Sequence, residues 1–188
     1  MFFGLDPGRK TLLVFGGSQG AIPINRAILR ILSDLTSIGA QVLWQTGDGD
    51  FENIKRLLTA QAMTQPERVC IHGFIERMEN AYAASDLAVC RAGATTLAEL
   101  MQAGLPSVLV PLPSAAADHQ TANAKSMAEA GASIVCSEER MEENLLDIIV
   151  GLIRDPSRLL DMAQHARSLG RTDATAVLAD AVLDLAER

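Results

Sequence analysis

Short apolar segments alternate with helix-like segments along most of this chain, and that alternation limits the folds open to it. The apolar segments comprise residues 11–17, 41–47, 69–75, 87–93, 107–112 and 132–136. Each is nearly all apolar rather than alternately apolar and polar, as expected for strands covered on both faces of a parallel sheet. Because crossovers between parallel strands are right-handed, the pattern predicts a Rossmann-like, doubly wound α/β sheet of about six strands.

Helical patterns fill the intervals between these segments and the end of the chain. The intervening helices are predicted at about 21–35, 51–61, 78–84, 94–103 and 118–130. Three C-terminal helices are predicted at 142–154, 157–169 and 173–187. Pro156 is well placed at a helix start. Residues 1–10 are expected to form a lead-in, and residues 11–188 are expected to form one domain.

Charge and composition limit the kinds of partner that this chain is expected to bind. Sixteen basic residues against twenty-three acidic ones give a net charge of −7, and aromatic residues make up 4% of the chain. This composition argues against a nucleic-acid partner. No apolar segment reaches the roughly 18 residues of a membrane span, and the first residues lack a signal-peptide pattern. We therefore expect a soluble, intracellular protein.

The cysteines predict neither disulfides nor a metal site. Cys70, Cys90 and Cys136 are far apart in the sequence and form no CxxC pair, and the three histidines add no zinc-type spacing. Each cysteine lies in or beside an apolar segment, so buried thiols in a reducing compartment are expected.

The turns that follow the strands are the places to search for a site, because ligands of open α/β sheets bind beyond the carboxyl ends of the strands. The first turn, Gly16–Ala21, reads GGSQGA. Its glycines would let the backbone approach a ligand, and the helix start with the Ser18 hydroxyl could bind an anion. The turn matches neither a Walker loop nor the GxGxxG pattern. Tight-turn geometry without a ligand explains the glycines equally well.

The turn after the fourth apolar segment lies within CRAGATTLAEL, Cys90–Leu100. Gly93 ends the segment, residues 94–96 would supply the first amides of a helix, and Glu99 lies about one turn further in. A nucleotide sugar has a pyrophosphate that suits such amides and ribose hydroxyls that can both donate to one carboxylate. Ribose on Glu99 is therefore one interpretation of the pattern. A Thr95 cap, with Glu99 complementing the helix dipole, is the interpretation that the local pattern by itself favours.

Two further turns are predicted at the same edge of the sheet. The turn at 111–124 concentrates polar side chains that could bind sugar hydroxyls, although capping by Asp118 also explains them. Those side chains are Asp118, His119, Gln120 and Asn123. The turn at 72–78 carries apolar residues that could hold a flat base, although core packing accounts for them too. They are Phe74, Ile75 and Met78.

Taken in order, these turns resemble the C-terminal half of the MurG family, the bacterial N-acetylglucosaminyltransferases that convert lipid I to lipid II in peptidoglycan synthesis. The resemblance covers about residues 8–187, and its motifs are specific when taken jointly. The motifs are VFGGSQGA with Asn25 beyond it, FIERM, CRAGATTLAEL, GLPSVLVPLP and DHQTANA. The resemblance implies one half of a GT-B glycosyltransferase, the half that binds UDP-N-acetylglucosamine.

The resemblance also implies roles for individual residues. Ser18 would contact phosphate, the Ile75 backbone would bond to uracil, and Gln120 would contact the N-acetylglucosamine. The pyrophosphate would face the residues from Ala94 onward, and the ribose would face Glu99. The full set of implied substrate contacts is Ser18, Ile75, Ala94, Thr95, Thr96, Leu97, Ala98, Glu99 and Gln120. The implied supporting residues are Gly17, Gln19, Phe74, Met78, Arg91, Gly93, His119 and Asn123, with Arg91 orienting its loop.

The family mechanism is inverting transfer, in which a base in the N-terminal half takes the proton of the acceptor hydroxyl and UDP leaves. That half, with its acceptor site and membrane-facing apolar patch, has no counterpart in this sequence, so we expect an excised domain or a half-protein. No DxD-like metal motif occurs at the four turns described above, and no metal or other cofactor is expected; helix starts would stabilise the diphosphate. The chain alone is expected to bind UDP or UDP-N-acetylglucosamine weakly and to transfer nothing. The full-length protein would lie peripherally on the cytoplasmic face of the inner membrane.

Two alternatives stay open. One is a free-standing donor subunit that needs a separate membrane-bound partner, as in the two-chain dolichol-linked N-acetylglucosaminyltransferase of eukaryotes. The other is a nucleotide-binding or regulatory Rossmann domain without transferase activity, closer to an NAD-binding module. The second alternative predicts an acidic residue at the end of the second strand. That strand instead ends QTGDGD, residues 45–50, where Asp48 comes late.

Overall fold

The predicted parallel sheet is present in the computed structural model, which describes residues 2–60, 66–113, 118–170 and 174–186. Within these residues the strands are β1 Thr11–Phe15, β2 Gln41–Gln45, β3 Val69–His72, β4 Leu87–Cys90, β5 Ser107–Leu109 and β6 Ser133–Val135. All neighbouring strands are parallel, in the order β3-β2-β1-β4-β5-β6. This order confirms the doubly wound, Rossmann-like prediction.

The predicted helices are also present. They are α1 Ile22–Ser37, α2 Asp48–Ala60, α3 Met78–Ala83, α4 Ala94–Ala103, α5 His119–Glu129, α6 Met141–Ile153, α7 Pro156–Leu169 and α8 Ala174–Ala186. The strands end earlier than predicted, because the last residues of the apolar segments leave the sheet to form the turns before the helices. The helix ends expected at Gln61, Asp173 and Glu187 lie outside the described residues.

Successive residues of the central strands face opposite layers of helices. Leu12 and Val14 of β1 pack in the layer of α1 and α6, whereas Leu13 and Phe15 pack in the layer of α3, α4 and α5. All five residues of β1 are buried. Burial on both faces is the reason that these strands are apolar throughout, since each buried Leu or Val side chain contributes about 1.5–3 kcal/mol.

The lead-in packs against the amino end of the sheet. The side-chain amide of Gln41 accepts from the Asp6 backbone N–H at 3.0 Å and donates to the Asp6 carbonyl at 2.8 Å. The Lys10 ammonium lies 2.7 Å from the Asp86 carboxylate. These contacts anchor residues 2–10 to the domain, and the predicted boundary at residue 10 stays a prediction.

The three cysteines are free thiols. Cys90 and Cys136 are buried, as predicted, whereas Cys70 is half-buried on the edge strand β3. The Sγ atom of Cys70 lies 3.2 Å from Nε2 of His72. Burial raises the pKa of all three thiols. Among the described helices, none combines the length and the apolar character needed to cross a membrane.

Candidate functional site

The strand order opens a crevice between the carboxyl ends of β1 and β4. From this point the sheet extends through β2 and β3 on one side and through β5 and β6 on the other. Phe15 at the end of β1 pairs with Cys90 at the end of β4, so the turns that follow these strands lie side by side. In doubly wound sheets such a switch point is where ligands bind.

The start of α4 is open toward this crevice. Its N-cap residue is Gly93, in extended backbone, and no side chain of the described residues caps the helix. The first helical bond runs from the Leu97 N–H to the Gly93 carbonyl at 3.0 Å, which leaves the amides of residues 94–96 without helical partners. Ala94 and Thr95 are exposed. The alternative that Thr95 caps the helix is therefore wrong.

Glu99 lies one turn beyond these amides, about 4–8 Å along the helix axis. Its side chain is exposed, and Oε2 accepts a hydrogen bond from the Tyr82 hydroxyl at 2.7 Å. Burial, and then the Glu99 carboxylate, raise the pKa of Tyr82, so the phenol stays a proton donor. Sequence reasoning missed Tyr82 because a single tyrosine in a short, largely apolar helix resembles a core residue.

A cavity of about 710 Å³ lies between α3 and α4 beside Glu99. It brings together residues from the two turns that were predicted to hold the base and the pyrophosphate. Its lining includes Phe74, Ile75, Met78, Thr95, Ala98 and Glu99. The Phe74 ring is 48% exposed, as suits a surface for a flat ligand rather than a core residue.

Ile75 is buried, and its backbone is already partly engaged. Its N–H donates to Oε1 of Gln45 at 2.8 Å, and Nε2 of Gln45 donates to the Gly17 carbonyl at 3.1 Å. The predicted contact with uracil thus depends on the Ile75 carbonyl. Gln45 was not predicted, although a polar residue that ends an apolar strand is a signal for it.

The glycines of the first turn have separate roles. Gly20 has φ +75°, and a Cβ there would lie 2.1 Å from the Thr46 carbonyl oxygen, so this glycine is required for packing between two turns. Gly17 has φ +89°, and no atom of the described chain would lie within 4 Å of a Cβ there. Ser18 and Gln19 are exposed beside it. The tight-turn explanation holds for Gly20, and the predicted phosphate contact at Ser18 stays a prediction.

Asn25, the motif residue beyond this turn, has a structural role. Its Nδ2 donates to the Thr46 carbonyl and to Asp50 Oδ2, both at 2.8 Å, and its Oδ1 accepts from Trp44 Nε1 at 3.0 Å. These buried contacts hold α1 against β2 and α2.

The start of α5 is bound to the turn after β4. Oε1 of Gln120 accepts from the N–H groups of Ala92 and Leu112, at 3.2 and 3.1 Å, and Nδ2 of Asn123 donates to the Ala92 carbonyl at 3.1 Å. Because the Gln120 oxygen accepts two bonds within the protein, the predicted contact of Gln120 with a sugar depends on its amide nitrogen. His119 is exposed at the first residue of α5. Asp118 does not cap α5 through its side chain, and residues 114–117 lie outside the described chain.

Arg91 joins three segments at this edge. Its side chain is buried, with Nη1 donating to the carbonyls of Val110 and Pro111 at 3.3 and 3.1 Å and Nη2 donating to Glu138 at 2.5 Å. These bonds connect the end of β4 to the end of β5 and to the turn after β6. The role of Arg91 in orienting its loop toward a ligand stays a prediction.

Leu97 differs from its neighbours in the motif. It is 6% exposed and packs in the core with Leu100, and its N–H is bonded to Gly93. The side chain of Leu97 thus packs in the core, and its predicted contact with the ligand stays a prediction. Ala98, by contrast, is exposed at the cavity.

No acidic first-turn residue opposes an anion at the two helix starts that flank the crevice. Neither α1 nor α4 has an acidic residue in its first turn. The same holds for α5 and α7, whereas α2, α3 and α6 each have one or more. Among the described residues, no group of three or more His, Cys, Asp or Glu side chains is arranged to hold a metal ion.

The fold and the position of this site define a Rossmann-like domain of the kind that forms one half of GT-B glycosyltransferases. The chain belongs to the family described as glycosyltransferase family 28 C-terminal domain, which matches residues 11–181.

Curated relatives agree with this assignment. Over 186 residues the chain is 44% identical to the UDP-N-acetylglucosamine--N-acetylmuramyl-(pentapeptide) pyrophosphoryl-undecaprenol N-acetylglucosamine transferase of Chlorobium phaeobacteroides, covering 98% of this chain and 50% of the relative. It is 42% identical to the protein of the same name from Chlorobaculum tepidum over 187 residues, or 99% of this chain and 50% of that one. The crystal structure of Acinetobacter baumannii MurG superposes with a TM-score of 0.81 at 34% identity, covering 94% of this chain and 52% of that chain. The resemblance to the MurG family is confirmed, and the chain spans about half the length of the relatives it matches.

Proposed function

We propose that this chain is the donor-binding half of an inverting glycosyltransferase that transfers N-acetylglucosamine from its UDP derivative to lipid I, giving lipid II in peptidoglycan synthesis. The observation that carries the proposal is the open start of α4, with Glu99 one turn further in and a cavity beside it. The names of the relatives support the choice of donor and acceptor.

Each part of the donor has a proposed position. The diphosphate lies at the amides of residues 94–96, with the Ser18 hydroxyl on the facing turn. The ribose hydroxyls donate to Glu99. The uracil enters the cavity against Phe74, and the Ile75 carbonyl accepts from its ring N–H. The N-acetylglucosamine lies near Gln120, with His119 and Asn123 beside it.

The chemistry of this half is stabilisation of the leaving group. The acceptor hydroxyl oxygen forms a bond to the anomeric carbon, its proton passes to a base, and UDP leaves with the electron pair of the broken bond. Negative charge therefore grows on the diphosphate, where the amides and the dipole of α4 stabilise it. No metal or other cofactor is part of this proposal.

The chain spans about half the length of the relatives it matches. We place the acceptor site and the base in the half that it does not match, so this chain alone binds the donor without transferring the sugar. The complete protein then acts at the cytoplasmic face of the inner membrane, as a peripheral protein. The donor-binding role can be tested on this chain by itself.

The test is titration of UDP into the wild-type chain and Glu99→Ala by calorimetry. We expect Glu99→Ala to lose about 1–3 kcal/mol of binding free energy, the range for hydrogen bonds to a charged group. Glu129→Ala removes an exposed glutamate from α5 and is the matched control, with unchanged affinity expected. Equal affinity of wild type and a folded Glu99→Ala would contradict the placement of the ribose. Tight NAD binding without a preference for uridine would favour the nucleotide-binding alternative.

A further inference from the structure

Tyr82 connects the core of the domain to the carboxylate at the cavity wall. The side chain is 7% exposed and lies in the apolar cluster with Phe15, whose ring centroid is 6.0 Å away at an interplanar angle of 61°. Its hydroxyl reaches Oε2 of Glu99 at 2.7 Å, from α3 to α4. A donor held by core packing is thus joined to an exposed side chain that has several free torsions.

We propose that Tyr82 is a positioning residue for the ribose: it holds the Glu99 carboxylate in the orientation that receives two ribose hydroxyls. This inference rests on the proposed function, in which the ribose binds Glu99. A glutamate side chain loses rotamer freedom when it is ordered by a ligand. Because the hydrogen bond from Tyr82 already orders the Glu99 side chain, the side chain loses less rotamer freedom when the ribose binds.

The direction of the hydrogen bond supports this role. An ionised carboxylate only accepts, at about four lone-pair sites, so the phenol must be the donor. The bond occupies one site of Oε2, which leaves sites on both oxygens for neighbouring hydroxyls. Burial and the nearby carboxylate raise the pKa of Tyr82, and the phenol therefore keeps its proton wherever Glu99 is charged.

The experiment compares UDP with 2′,3′-dideoxy-UDP on the full chain. Tyr82→Phe keeps the ring and removes only the hydroxyl, and we expect its affinity for UDP to fall about 3- to 10-fold. Its affinity for dideoxy-UDP should equal that of wild type, because that ligand has no hydroxyls for Glu99. Ser85→Ala is the matched control: it removes a hydroxyl that donates to the Ala81 carbonyl at 2.7 Å, and neither affinity should change.

A double-mutant cycle tests whether Tyr82 acts through Glu99. In the Glu99→Ala background, Tyr82→Phe should cause no further loss of UDP affinity, since coupled residues are not additive. An equal loss for UDP and dideoxy-UDP would overturn the inference and assign Tyr82 a packing role. Unchanged UDP affinity in Tyr82→Phe, with a clear loss in Glu99→Ala, would overturn it while leaving the proposed function intact. If wild type does not distinguish the two nucleotides, or Glu99→Ala has no effect, the placement of the ribose in the proposed function fails together with this inference.

Discussion

The starts of α4 and α7 differ in what satisfies the hydrogen-bonding capacity of their first-turn amides. Both helices present first-turn amides that have no helical partner. At α7 the Asp155 carboxylate accepts from the Arg158 N–H at 3.0 Å, and Pro156 occupies the first helical position. At α4 the preceding residue is Gly93, which has no side chain to offer. The start of α7 is thus capped by a side chain of the protein itself, whereas the amides at the start of α4 are available to a ligand.

The difference follows the position of each helix. The start of α7 follows another helix, α6, whereas α4 begins at the carboxyl end of β4, beside the crevice. A capping carboxylate at α4 would both occupy the amides and repel a diphosphate. The uncapped start of α4 thus coincides with the switch point of the sheet, where doubly wound sheets bind ligands.

The largest effect is expected in the turn before α1, the other open start at the crevice. Gly20→Ala should lower the free energy of unfolding on the order of 3 kcal/mol, from a strained positive φ and overlap with the Thr46 carbonyl. Gly17→Ala has a similar φ but open space around it, and about 1 kcal/mol is expected. Urea denaturation of both variants measures the difference. Equal losses of unfolding free energy in the two variants would mean that the positive φ alone, without packing between the two turns, explains the effect of Gly20→Ala.

Adding a capping carboxylate at the start of α4, like that of Asp155 at α7, should weaken UDP binding more than it changes stability. Gly93→Asp has room, since the nearest atom to a Cβ is 3.9 Å away, and its backbone is compatible with other residues. We expect UDP affinity to fall about 10- to 100-fold, because the carboxylate competes for charge-assisted hydrogen bonds. Stability should stay within a few tenths of a kcal/mol or rise. Calorimetry and thermal melting measure the two quantities.

Two neutral variants separate charge from bulk at this position. Gly93→Asn adds a cap without charge and should weaken UDP binding less than Gly93→Asp. Gly93→Ala adds only a methyl group and should bind nearly as wild type does. Wild-type affinity in Gly93→Asp would show that the diphosphate is bound elsewhere.

Removing the side-chain cap of α7 should have the smallest effect, and it should change only stability. Asp155→Ala removes the cap and should cost about 1 kcal/mol of unfolding free energy, or roughly 2–4 °C in the melting temperature of a chain of this size. UDP affinity should be unchanged, as measured by titration. If Asp155→Ala lost as much UDP affinity as Gly93→Asp, the distinction between a capped start at α7 and a ligand-binding start at α4 would be contradicted.

Most of the fold was predictable because it depends on local patterns. A strand buried on both faces must be apolar throughout, as β1 is, and the glycine turns mark where such strands end. The position of Glu99 one turn beyond Gly93 was predictable for the same reason, since helix geometry alone sets that distance. The burial of the Leu97 side chain could not be predicted from its position in the motif, because motif position does not show which side of a helix faces the core.

The bonds between turns could not be predicted from local patterns. The order of elements, the helix starts and the candidate carboxylate follow from neighbours in the sequence, whose spacing the backbone geometry sets. The contacts of Tyr82 with Glu99, Gln45 with Ile75 and Arg91 with Glu138 join residues 17, 30 and 47 positions apart. These residues meet only when the sheet is assembled, because packing of the layers, rather than any local propensity, decides which turns become neighbours.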